Sequence, residues 1–154
     1  MSLDRLLESV KGASKSIIED DGQELTMLML VETPGKVHVI GGWSKVSKDA
    51  FAIMATLTLQ GLGATGYVFV SEAWAARFAK DSPLVDRIFG GEIRVMDLPP
   101  DDREEIVQIM GCERNGKPFL VHAIIENTPQ GRRLREFVKE EWERLEGRMV
   151  VTEW

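Results

Sequence analysis

Three side chains in this 154-residue chain have the type and setting for acid–base chemistry. Glu72 lies in Val70-Ser71-Glu72-Ala73-Trp74, where strand alternation puts it on one face with Val68, Val70 and Trp74. Apolar neighbours disfavour the ionised carboxylate, the condition that suits a general acid or base. His38 and His122 each fall in the middle of an apolar run, and an imidazole can exchange its proton near neutral pH. Brought into one sheet, Glu72 with His38 or His122 would serve a small hydrolase or lyase. Plainer roles weigh more. Glu72 at a strand end can be solvated or paired with an arginine. A core histidine can bond a backbone group, and Cys112 can be a small buried hydrophobe rather than a nucleophile.

Motifs for other chemistries are missing. The chain has no GxxxxGK[ST], GxSxG, HExxH or CxxC pattern. Asp101 and Asp102 could offer oxygen ligands to magnesium or calcium, but a solvated turn accounts for the same run, so no metal and no cofactor is expected. Trp43, after Gly41-Gly42, and Trp74, at a strand end, could line a pocket or an interface.

Residues 70–74, followed by Pro99-Pro100-Asp101-Asp102-Arg103-Glu104-Glu105-Ile106-Val107, resemble a group of uncharacterised bacterial and phage-associated proteins. That group carries an "EAW … P-D-R-x-E" pattern ahead of a hairpin with a D/N-G turn. The likeness spans about residues 65–125, and this chain departs from the pattern at Asp101-Asp102. It brings no activity. It implies that Glu72, Trp74, Asp102 and Arg103 act together, for instance through a pair between Arg103 and Glu72 or Asp102.

Bulk composition narrows the setting. Hydrophobic residues make up 44% and charged residues 29%, as in an ordinary globular domain, and the length suits one domain over residues 1–154. A net charge of −6 argues against nucleic acid, although Arg132, Arg133 and Arg135 form a local basic cluster. The single cysteine points to a reducing compartment, hence the cytoplasm. No apolar run approaches the ~18 residues of a membrane span, and the first segment is charged throughout, unlike a signal peptide.

The elements that must position these residues follow from periodicity. Leu3, Leu6, Leu7, Val10, Ala13, Ile17 and Ile18 form the stripe of a surface helix capped by Ser2. Thr33-Pro34-Gly35-Lys36 suits a type II turn, which sets Val31 opposite His38 and Met29 opposite Ile40. Ser47 caps a helix from Lys48 to about Gln60 that is apolar nearly all round, so it should be buried by the fold or by a partner subunit. Thr65 to Trp74 reads as a strand, and Pro83 to Phe89 as a short helix. A second hairpin turns at Asn115-Gly116, pairing Arg114 with Lys117 and Cys112 with Phe119. Both of its faces are apolar, so both should be covered. Thr128 and Pro129 open a last helix that closes at Gly147, with Trp142 in its stripe, and a short strand is expected over residues 148–154.

The order α-ββ-α-β-(α)-ββ-α describes an α+β fold. It has a mostly antiparallel sheet of about five strands, from two hairpins plus a single strand, with helices on its faces. With no catalytic signature, the expected function is a homo-oligomeric interaction or ligand-binding module. Its partners would be further copies of itself, a protein or a small molecule, with neither nucleic acid nor membrane involved.

Overall fold

The computed structural model describes residues 3–76, 78–79, 81–140, 151 and 153–154. The first helix, α1 (Leu3–Glu19), buries Leu3, Leu6, Val10 and Ile18. Ser14 lies in the same buried row, its hydroxyl satisfied by the Val10 carbonyl at 2.7 Å, whereas Ala13 is exposed. Strands β1 (Leu28–Thr33) and β2 (Lys36–Ile40) form the first hairpin in the expected register, with Val31 opposite His38. Gly35 adopts the positive φ of 76° that the third position of a type II turn demands.

Helix α2 (Lys48–Leu62) begins where Ser47 accepts the Ala50 N–H and ends at Gly63. Strand β3 (Gly66–Ala75) leads into helix α3 (Pro83–Phe89), capped by Ser82, and then into two 3₁₀ turns at Val95–Asp97 and Pro100–Asp102. Strands β4 (Glu104–Glu113), β5 (Phe119–Thr128), β6 (Gly131–Leu134) and β7 (Val138–Glu140) follow. Among the described residues there are seven strands, each antiparallel to its neighbours, in the order β2-β1-β3-β4-β5-β6, with β7 also on β5. The α+β class holds, with two strands more than the five expected.

Both extra strands replace the start of the expected last helix. Residues 128–140 are a hairpin arm: Thr128 pairs with Gly131 around Pro129-Gln130, and its hydroxyl donates to the Gly131 carbonyl at 2.7 Å. Leu134 is buried with Ile125, and the Leu134 N–H is taken by Glu19 of α1 at 3.0 Å. These tertiary bonds outweigh a helical pattern whose intrinsic preference is a few tenths of a kcal/mol per residue. The remainder of that helix, including Trp142, lies outside the described residues, as does most of the expected final strand. Val151, Glu153 and Trp154 are not in a strand.

The second hairpin is displaced by one residue from its expected register. Phe119 pairs with Gly111 rather than Cys112, and Met110 with Leu120. The turn closes earlier, with the Gly116 N–H on the Glu113 carbonyl at 2.8 Å and Asn115 at φ 60°. Pro118 has no N–H with which to extend the ladder. Gly111 accommodates the Phe119 ring, since a Cβ there would lie 2.5 Å from the ring's Cζ. A one-residue slip sends every side chain of a strand to the other face, so Val121, Ala123 and Ile125 join Val107 and Ile109.

The sheet therefore separates two cores. On one face α1 packs on Val68, Val70, Val107, Ile109 and Val121. On the other, Trp43 and the Phe51, Ala55 and Leu59 row of α2 pack on Met29, Val31, Tyr67 and Phe69. Three rings meet there: Trp43 to Phe51 at 5.1 Å, Phe51 to Phe69 at 5.2 Å and Trp43 to Phe69 at 6.3 Å between centroids. Tyr67 binds the tail segment, its hydroxyl bonding both the Val151 carbonyl and N–H, while the Trp154 indole donates to the Ala64 carbonyl at 2.9 Å. Among the described residues, no helix is long and apolar enough to cross a membrane.

Candidate functional site

Glu72 and the two histidines are not brought together. Continuous pairing of β3 with β4 preserves alternation, so Glu72 shares the α1 face with Val68 and Val70. His38 faces the α2 side, as its pair Val31 does, and His122 does too, as Leu120 does. Three strands, β1, β3 and β4, separate the two histidines, a path of roughly 19 Å along the sheet at ~4.8 Å per strand. His38 bonds the Thr33 hydroxyl through Nε2 at 3.1 Å, and His122 is buried between Gln108 and Val138. A Glu–His acid–base pair needs hydrogen-bond reach or one bridging water, which opposite faces of a sheet do not permit.

What Glu72 does instead is hold a loop. Its Oε1 accepts the Leu25 N–H at 2.9 Å, and Arg132 of β6 approaches the two oxygens at 3.3 and 3.2 Å. The second Arg132 nitrogen donates to the Gln23 carbonyl at 3.1 Å. Both side chains are largely covered, at 17% and 18% exposure, so the pair clamps the α1–β1 connection against β3 and β6. Glu19 reinforces the same corner through the Leu134 N–H. Pairing with an arginine is thus the role that Glu72 takes, and the arginine comes from strand β6, which the helical spacing of residues 128–140 does not announce.

The other candidates also take structural positions. The Arg103 guanidinium lies 4.4 Å from the centroid of the Trp74 ring and donates to the Met96 carbonyl. It therefore ties the 76–103 excursion to the end of β3 through a cation–π contact. Neither Glu72 nor Asp102 pairs with Arg103; Asp102 is exposed on its 3₁₀ turn. Trp43 is core, with its indole N–H on the Ile40 carbonyl at 3.0 Å. Burial pushes the Cys112 thiol up, so it is less readily a thiolate than a free cysteine. Among the described residues, no three metal-binding side chains gather in one place. A shallow depression lined by Leu3, Glu32, Thr65, Gly66, Glu113 and Arg114 contains none of the candidates.

One feature expected from the sequence takes a form that alternation and caps could not specify. The apolar character of helix α2 calls for cover by the fold or by a partner subunit, and the fold leaves Ile53 65%, Met54 46% and Leu57 62% exposed. Its inner row is Phe51, Ala55 and Leu59; its outer flank is Ala50, Met54, Leu57 and Gly61, at intervals of four, three and four residues. That is the spacing at which a helix presents a seam to another helix. No protein-family model, curated protein or solved structure matches the chain.

Proposed function

We propose that the protein is an interaction module that works as a homo-oligomer, with the outer flank of α2 as its contact surface. The observation that carries this reading is the exposure of Met54 and Leu57 on that flank, with Ile53 exposed beside them, on a helix already held in place by Phe51, Ala55 and Leu59. Three large aliphatic side chains left adjacent in water mark a docking surface more often than chance placement does. The flank has no charge, although the chain carries a net charge of −6, so two copies can approach there without like charges meeting. The cytoplasm is the compartment this reading assigns, because the lone thiol, Cys112, is buried and unpaired.

Sedimentation at tens of micromolar tests the reading. The wild-type chain should assemble, and Leu57→Glu should be a monomer that still unfolds cooperatively, its thermal midpoint lower than the wild type's only by the stability that association adds, since Leu57 supports no core. A wild-type chain that stays monomeric at 100 µM, an order-of-magnitude ceiling for a specific weak dimer, would overturn it.

A further inference from the structure

We infer that two copies of this chain join edge to edge, their β2 strands pairing antiparallel about a two-fold axis at His38. This rests on the self-association reading above and gives it a partner and a geometry. The Glu32 carbonyl accepts the Thr65 N–H on the β3 side of β1, at 2.8 Å. Strand alternation then turns the main-chain groups of Met29, Val31 and Thr33 toward β2. Their partners Ile40, His38 and Lys36 bond inward, which leaves Val37 and Val39 presenting N–H and C=O outward. Among the described residues β2 is an edge of the sheet, and Val39 is 62% exposed.

The outward groups are self-complementary. A two-fold axis at His38 sets Val37 opposite the second copy's Val39, and the reverse, forming four main-chain hydrogen bonds. Lys36, the only formal charge on the strand, then faces Ile40 of the second copy. No acidic residue enters the junction, and β2 has no proline, bulge or mid-strand charge of the kind that keeps sheet edges apart.

The same junction brings in the α2 flank. The β2–α2–β3 connection joins two parallel strands across β1, and such crossovers are right-handed. With 100° per residue, that hand turns Met54, Gly61, Ala50 and Leu57 toward the β2 side of the helix. It turns Asp49, Thr56 and Gln60 toward the interior of the sheet. The open edge and the uncharged flank therefore form one continuous surface, which the two-fold axis closes on its own copy as an isologous dimer.

Cysteine cross-linking tests this. Opposed residues of a non-hydrogen-bonded pair have Cα atoms about 4.5 Å apart, within the span of a disulfide. His38→Cys should therefore give a covalent dimer under mild oxidation. Val37→Cys should not, because its copies lie one residue on either side of the axis and so two residues apart along the strands, beyond the ~7 Å limit. Val39→Pro removes an outward N–H without touching the β1 ladder, and should weaken association at least tenfold. If His38→Cys fails to cross-link, or Val37→Cys cross-links equally, while sedimentation still shows a dimer, the edge pairing is wrong and self-association stands. A monomer in sedimentation removes both.

Discussion

At one edge of the sheet, β2 carries Val37 and Val39 with their hydrogen-bonding groups turned outward and one charge, Lys36, at its start. At the other edge, β6 and β7 lie end to end on β5 with an extra residue between them. Ile125 pairs with Leu134 and His122 with Val138, so two residues of β5 face three, Arg135 to Phe137. The Arg135 N–H still reaches the Ile124 carbonyl at 2.9 Å, which makes the interruption a β-bulge. Arg133 and Lys139 are exposed there, and Arg135 is paired with Glu126. A bulge and a row of charges are two ways in which proteins keep an edge from recruiting another strand. One edge is thus closed by its own sequence and the other is left to pair, in a chain that had the means to close both.

The supports behind the two edges differ as well. Behind β2 stands aromatic packing, whereas the β6 side is tied by ion pairs and side-chain bonds to backbone. Phe51→Ala should produce the largest loss, about 3–5 kcal/mol in urea unfolding, because it removes the ring between Trp43 and Phe69. It should also abolish dimerisation, since α2 loses its anchor.

Alkaline unfolding gives the next largest effect. Burial pushes the Tyr67 hydroxyl up from 10.0 to about 12. The unfolded tyrosine ionises first, so its contribution is complete below pH 10 and is lost as pH rises from 10 through about 12. The loss amounts to roughly 3 kcal/mol, read from thermal midpoints across that range, and Tyr67→Phe should remove that part of the dependence. At the closed edge, Arg132→Ala should cost less, about 1–2 kcal/mol, because the partly exposed pair with Glu72 is screened by water. It should loosen residues 20–27 in hydrogen exchange while leaving the dimer intact. Equal losses from Phe51→Ala and Arg132→Ala, or a dimer lost on breaking the Glu72 pair, would erase the distinction between the edges.

The sequence alone was enough for the local elements whose chemistry is contained in a few adjacent residues. Pro34-Gly35 specified its turn and hence the pairing of His38 with Val31; Ser47 opened α2; the short helix from Pro83 to Phe89 was legible as α3. The same reading failed wherever a distant segment supplied the deciding contact. Residues 128–140 have helical spacing, yet they form strands because β5 and Glu19 hold their backbone. The second hairpin slipped by one because Phe119 needs the bare backbone of Gly111 beneath its ring, a fit between residues eight apart that turn propensity does not encode. Glu72 had the neighbours of a general base, but its partner, Arg132, comes from a strand that only the assembled sheet creates. Likewise, the apolar character of α2 was plain from its composition; which flank would be left bare was decided by the side of the helix that met the sheet. Short-range steric and hydrogen-bond rules act within a turn or a cap. Register, burial and ion pairing depend on which strands become neighbours, and that is settled only when the whole chain packs.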